Sequence, residues 1–458
     1  MLAVTRLSLF CALLLAAPFA RAGELQIPVE RYHLGNGLTV ILHEDHRLPQ
    51  VAVNVWFRVG SKDEREKRTG FAHLFEHLMF MGTTDVPNGS FDTIMEAEGG
   101  ANNASTSEDR TNYFELGPKG LLETFLYLEA DRLRTLPEAM TKQKVDLQRD
   151  VVKNERRQSY ENRPYGQVDL VLVDKLYPKG HPYQHPVIGS HADLTAASVE
   201  DVKAFFRGFY VPSNASLVVA GDFKPDEAKQ LIERYFGSMP RVPEPAHRVP
   251  PPVELVKSEH VTVRDAVQLE QVTLAWHSPA LLGPGDAQAD LLAALLGAGK
   301  SSRLERALVY DQKLAQEVRV QHSALRYDGV FTITATALEG HTAAELEKAI
   351  EVELQKLRDT APPTVREVES ARAFTEMHTL HDLGSLALLA DGLNEYEFVR
   401  GDPGELARNA LQRYQSVGPA DLAWQAHAIF DKPHLTVIVL PKAPPRTAGT
   451  TKGAARAQ

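Results

Sequence analysis

Cysteine is all but missing from this 458-residue chain: the one copy, Cys11, lies inside the leading apolar run Leu7 to Ala17. Disulfides and thiolate chemistry are therefore excluded from the remainder, so a tight metal site has to be built from histidine and carboxylate. Long hydrophobic runs are equally scarce. After the leading segment no stretch approaches the roughly 20 apolar residues that a membrane-spanning helix needs. There is no basic stripe to neutralise phosphates, and the formal net charge is −10, which excludes a nucleic-acid partner.

What the sequence does contain is the balance of a globular protein, 43% hydrophobic and 24% charged, at a length that calls for two or more domains. Arg6, the apolar run and the small residues of Ala20-Arg21-Ala22 predict a signal peptide over 1–22, hence a periplasmic or secreted protein with no membrane attachment beyond export. Between Met239 and Val253, six prolines in fifteen residues forbid helix and disfavour sheet pairing. This stretch predicts a linker over 241–254, dividing a first domain at 23–240 from a second at 255–442, with a disordered tail at 443–458. Each half ends on a strongly apolar strand, Ala215 to Ala220 and Leu435 to Leu440. The expected fold class is α+β, two related domains each with a mostly antiparallel sheet packed by helices and facing one another. In the first half, Leu38–Leu42 and Val51–Phe57 read as neighbouring strands, and Thr69–Phe80 then changes to a helical period.

That helix carries the chemistry. His73-Leu74-Phe75-Glu76-His77 sets two imidazoles one turn apart on the same face, with a carboxylate beside them. Two histidines so placed reach a single ion, and zinc suits them because it takes nitrogen and carboxylate ligands and keeps a position open in catalytic sites. Glu76 stands where a general base would take a proton from water. The order H-x-x-E-H reverses the commoner zinc-peptidase motif. A third ligand is needed. Glu155, in the charged helical stretch Asp150 to Ser159, is a candidate, although by itself it reads as an ordinary solvated carboxylate.

These residues resemble the pitrilysin and insulin-degrading-enzyme family of metallopeptidases, in particular the two-domain branch that includes the mitochondrial processing peptidases. The resemblance runs through Asn36 to Val40, Gly70 to Thr83, Asn103 to Thr106, Thr111 to Phe114, Asn154 to Arg157, Arg163 to Gly166, His181 to Tyr183, Tyr210 to Ala215 and Gly221 to Phe223, and reaches weakly into the second half at Ser301 to Leu304. It implies a zinc endopeptidase with one Zn2+ per chain on His73, His77 and Glu155 and with Glu76 as catalytic base. It further implies that Asn103, Ala104, Ser105 and Thr106 lie on an exposed edge strand to which an extended peptide substrate pairs. A family glutamate two turns before the third ligand is Gln148 here, which cannot add negative charge around the metal.

Relatives that work alone carry an arginine and, seven residues on, a tyrosine in the second half. The matching positions here are Val309 and Gln316; Arg303 and Tyr310 have the right interval but the wrong register. The expectation is that a related partner subunit supplies the pair. The rival expectation is a non-catalytic assembly or scaffold subunit of the same fold. Two further motifs carry less: Gly297 to Ser302 lacks the spacing of a phosphate loop, and His378 with His381 lacks a third ligand.

Overall fold

The computed structural model describes residues 25–442. The expected signal peptide at 1–22 and tail at 443–458 lie outside them.

The first half opens with strands β1 (Glu30–His33), β2 (Thr39–Glu44) and β3 (Gln50–Phe57), followed by helix α1 (Phe71–Leu78). Among the elements that follow are strands β4 (Ala101–Thr106) and β5 (Thr111–Pro118), helices α2 (Leu122–Ala139), α3 (Lys142–Arg156) and α4 (Gln167–Leu176), and strand β6 (Ala215–Gly221). The six strands form one sheet in the order β1-β2-β6-β3-β5-β4. The expectation that β2 and β3 are neighbours is therefore wrong. β6 lies between them, parallel to β2 and antiparallel to β3. All residues of β6 are buried, so it belongs at the centre of a sheet covered on both faces, and a late-arriving strand can claim that place whatever the chain order of the other two.

The second half repeats the plan. Strands β7 (Glu259–Asp265) and β8 (Gln271–Ser278) precede helix α5 (Asp286–Gly297), and β9 (Ala315–Ala324) and β10 (Gly329–Ala337) precede α6 (Ala343–Gln355), α7 (Val365–Leu383), α8 (Leu386–Arg400) and a last strand, β11 (Leu435–Pro441). The sheet order is β7-β11-β8-β10-β9, the same arrangement without an equivalent of β1. Both sheets are antiparallel apart from the pairs β2/β6 and β7/β11. The fold is α+β, as its strand and helix alternation predicts.

Each sheet buries one face against its own helices. Phe71, Leu74, Phe75 and Leu78 of α1 meet Val53, Val55 and Val219 in the first core, and Leu291, Leu292 and Leu295 of α5 meet Leu274, Trp276 and Phe331 in the second. The other faces are covered reciprocally. Leu389, Ala390 and Leu393 of α8 lie against Ile41, Ala52 and Val218 of the first sheet. Val168 and Leu176 of α4 lie against Ala275, Leu435 and Val437 of the second. At the first crossing Asp391 accepts from Trp56 Nε1 at 2.8 Å, Asn112 Nδ2 at 2.8 Å and Asn54 Nδ2 at 3.2 Å. The proline-rich stretch forms neither helix nor strand. It is pinned to the first half, with His247 Nε2 2.9 Å from Asn214 Oδ1 and Arg248 Nη1 donating to the Glu64 carbonyl at 3.1 Å. Among the described residues no helix is long and apolar enough to cross a membrane.

Candidate metal centre

The site begins with a glycine. Gly70 precedes α1 at φ +85°, and a Cβ there would lie 2.8 Å from the Ile188 carbonyl oxygen. No other residue fits that position without strain. The first turn of α1 then finds an acceptor in the buried Glu64 carboxylate, which takes the N–H of Gly70 at 2.9 Å and of Ala72 at 2.7 Å. Burial of Phe71, Leu74, Phe75 and Leu78 fixes the rotation of the helix, and Phe75 packs among Phe205, Phe206 and Tyr210. His73, Glu76 and His77 are thereby left on the opposite side.

The two imidazoles stand edge to face, with ring centroids 4.8 Å apart. Glu155, near the C-terminal end of α3, reaches both: its Oε1 is 3.7 Å from His73 Nε2 and its Oε2 3.3 Å from His77 Nε2. One ligand atom from each of the three lies within 4.8 Å of the other two. Glu76 is set beside them, with Oε2 accepting a hydrogen bond from Thr106 Oγ1 on β4. Asn103, Ala104, Ser105 and Thr106 run along that strand, the edge of the sheet, hydrogen-bonded to β5 on one side only among the described residues.

Burial lowers the His73 imidazole to about 4 despite the Glu155 charge, leaving it neutral with a lone pair to give. Burial would lower His77 too, but its hydrogen bond to Glu155 raises it above the usual histidine value. That same bond holds Glu155 below the usual carboxylate range. Burial raises Glu76, against the Thr106 hydroxyl, which favours its ionised form. Gln148 donates to Met81 Sδ at 2.7 Å and also reaches His77.

One contact of Thr106, and Arg110 altogether, escaped the sequence reading. Thr106 touches Glu76 from the edge strand, and Arg110 clamps the end of that strand, donating to the Ser105 carbonyl at 2.9 Å while its guanidinium sits 5.0 Å from the Trp56 ring centre. Neither leaves a local signal: the first contact joins α1 to β4, and the second depends on the β4/β5 turn folding Arg110 back onto its own strand.

Comparison with known proteins fits this architecture. Residues 39–184 match the family model described as insulinase (peptidase family M16), and residues 196–374 match the one described as peptidase M16 inactive domain. The zinc protease PqqE of Helicobacter pylori is 32% identical over 333 residues, covering 72% of this chain and 74% of that protein. The chain belongs to the M16 peptidase family. Among other M16 members, a probable mitochondrial-processing peptidase subunit beta from Arabidopsis thaliana is 24% identical over 71% of this chain and 62% of its own length. A solved protease from Helicobacter pylori superposes with a TM-score of 0.84 at 29% identity, covering 91% of this chain and all of that one. The periplasmic protease PqqL of Escherichia coli shares the fold, with a TM-score of 0.75 at 18% identity, 91% of this chain covering 48% of that one.

The match of the second half of this M16 chain to a domain called inactive has a visible counterpart. α5 starts after Gly285 at φ +90°, as α1 starts after Gly70, yet the positions three, six and seven residues on are Gln288, Leu291 and Leu292. Val309 packs against the second core, and Gln316 lines a cavity with Arg163, Tyr165 and Arg319. Arg303 is taken up by Glu367, at 2.7 and 2.9 Å, and by the carbonyls of Ala361 and Pro362, while Tyr310 stands exposed. Arg303 is a tie between helices.

Proposed function

We propose that this chain is a zinc endopeptidase of an extracytoplasmic compartment that cleaves peptides or unstructured protein segments, with a related subunit completing its site. The observation that carries the reading is the meeting of three ligand atoms from His73, His77 and Glu155 with a base, Glu76, tied by Thr106 to an open sheet edge. The donor set fits the metal: two imidazole Nε2 atoms directed at one carboxylate are what zinc takes in sites that keep a position for substrate. When bound, zinc would polarise the scissile carbonyl and make the attacking water more acidic.

The chain's own residues do the remainder. Thr106 holds one oxygen of Glu76 and leaves the other free to receive a proton from water, and Glu76, its affinity for protons increased by burial, then returns that proton to the departing amine. An extended substrate adds to β4 at Asn103, Ala104, Ser105 and Thr106, where main-chain hydrogen bonds hold any sequence. With Val309 and Gln316 at the arginine and tyrosine positions, donors for the developing oxyanion have to come from another chain, and loss of one such donor costs about a hundredfold or more in turnover.

The test is cleavage of an unstructured peptide by the protein co-purified with its partner, with zinc measured on the same fractions. Glu76→Gln is expected to keep the metal and to lower cleavage by about 10²–10⁴. A parent complex that holds zinc and cleaves nothing would establish the scaffold role instead, and full turnover by the isolated chain would remove the partner requirement.

A further inference from the structure

The two helices that bring the ligands together, α1 and α3, are joined by a segment that belongs to neither. It runs through Ile188 and Gly189 into a short helix, His191–Ala196, and is fixed by Ile188 and Leu194, both buried in the first core. On one side it meets the start of α1. Gly189, at φ +71°, lies so close to Gly70 that a Cβ on it would stand 2.4 Å from the Gly70 nitrogen. Thr69 Oγ1 donates to Asp193 at 2.5 Å and accepts from the Ser190 N–H at 3.1 Å.

On the other side the same segment is held by α3. Arg149, Lys153 and Arg156, at intervals of four and three residues, share one face of that helix. Arg149 Nη1 donates to the Ala197 carbonyl at 2.9 Å, Lys153 Nζ to Thr195 Oγ1 at 3.0 Å, and Arg156 Nη1 to the Gly189 carbonyl. Arg156 differs from the other two in its surroundings. It follows Glu155 directly, its side chain is only 14% exposed, and its Nε donates to Glu161 Oε1 at 3.1 Å, an atom that also lies 2.8 Å from His191 Nε2. Its acceptor is the residue packed on Gly70, three positions before His73. One guanidinium therefore spans the distance from the neighbour of the third ligand to the origin of the helix that bears the other two, through a charge-assisted bond. Such a tie has a purpose. Glu155 stands one residue from the end of α3 with its side chain 39% exposed, and helix ends fray when nothing holds them.

We propose that, with His73, His77 and Glu155 holding zinc as read above, Arg156 is a positioning residue of the metal centre: by bonding the Gly189 carbonyl it locks the end of α3 to the start of α1 and so aims the Glu155 carboxylate at the two imidazoles. Metal sites depend on ligand placement to within about 0.5 Å, so the lock is felt in affinity.

Zinc affinity of the folded, metal-free full chain, measured by competition with a chelator, tests this. Arg156→Ala is expected to weaken zinc about 10- to 100-fold, the usual effect of losing a group that orients a ligand, and Arg156→Lys, which keeps a donor for the carbonyl, by less. In a Glu155→Ala background, read at higher zinc concentration, neither change should weaken binding further, because the carboxylate that Arg156 aims is gone. An Arg156→Ala protein that binds zinc as the parent does, or losses of equal size with and without Glu155, would overturn the proposal and leave the zinc reading intact. If Arg156→Ala does not fold, Arg156→Lys in the two backgrounds is judged by the same outcomes. A parent protein that takes up no zinc would overturn both.

Discussion

Glu76 and Thr106 stand thirty residues apart in sequence and meet through one hydroxyl. Replacing Glu76 by Gln should lower turnover by about 10²–10⁴, the usual contribution of general acid–base catalysis, without changing zinc content. Thr106→Val removes a hydrogen bond to a charged group, an interaction of about 1.5–3 kcal/mol, and should lower kcat by about tenfold or more with metal content unchanged. These two residues also mark how far the site could be read beforehand. His73, Glu76 and His77 were legible because a helix repeats every turn, so their sharing of one face follows from spacing alone. Glu155 needed a family resemblance, since nothing local separates it from Asp150 or the other charges of its helix. Thr106 as a partner of the base was not legible at all, because the contact is set by strand register. Away from the site, His322 is a second residue with a measurable signature. Burial would lower its ring, but the hydrogen bond to Asp290 and the charges of Asp290 and Asp286 raise it above the usual histidine value. Its contribution to stability is therefore complete below about pH 6.5 and is lost as the pH rises through the raised folded value. Melting temperatures measured from pH 6 upward should fall more steeply for the parent protein than for His322→Asn.

At the scale of elements, α1 shows how a helix start decides a site. Gly70→Ala would force a left-handed φ on a side chain and push its Cβ to 2.8 Å from the Ile188 carbonyl, so a loss of about 1–3 kcal/mol is expected together with weakened zinc binding. Denaturant melts with and without zinc would separate the two effects. The strands themselves were legible to within a residue or two: Val51–Phe57 became β3 from Gln50, and the final apolar runs became β6 and β11. Their order was not. Alternation and β-branching tell which residues sit in a sheet but not which strand lies beside which, and β6 entered between β2 and β3 because its two buried faces needed neighbours on both sides.

At the scale of the molecule, the reciprocal crossing of α4 and α8 is the feature that sequence reading missed most completely. The two halves were expected to face one another across a linker, and what that expectation did not contain is that each sheet takes its second cover from a helix of the other half. A helix buried by a distant sheet has the same apolar residues as one buried by its own, so composition gives no warning. Asp391 tests the crossing. It accepts from Asn54, Trp56 and Asn112, and Asp391→Ala would leave three donors without their acceptor at a cost of about 2–5 kcal/mol, read as a lower melting temperature for the first half as well as the second. The crossing also orders events in time. A ribosome delivers β2, β3 and β6 long before α8, and β11, the strand next to β8 in the second sheet, is last of all. A nascent chain stopped before Leu386 should stay protease-sensitive throughout, and the full-length polypeptide should remain slack enough to be threaded through a narrow pore until its final strand emerges.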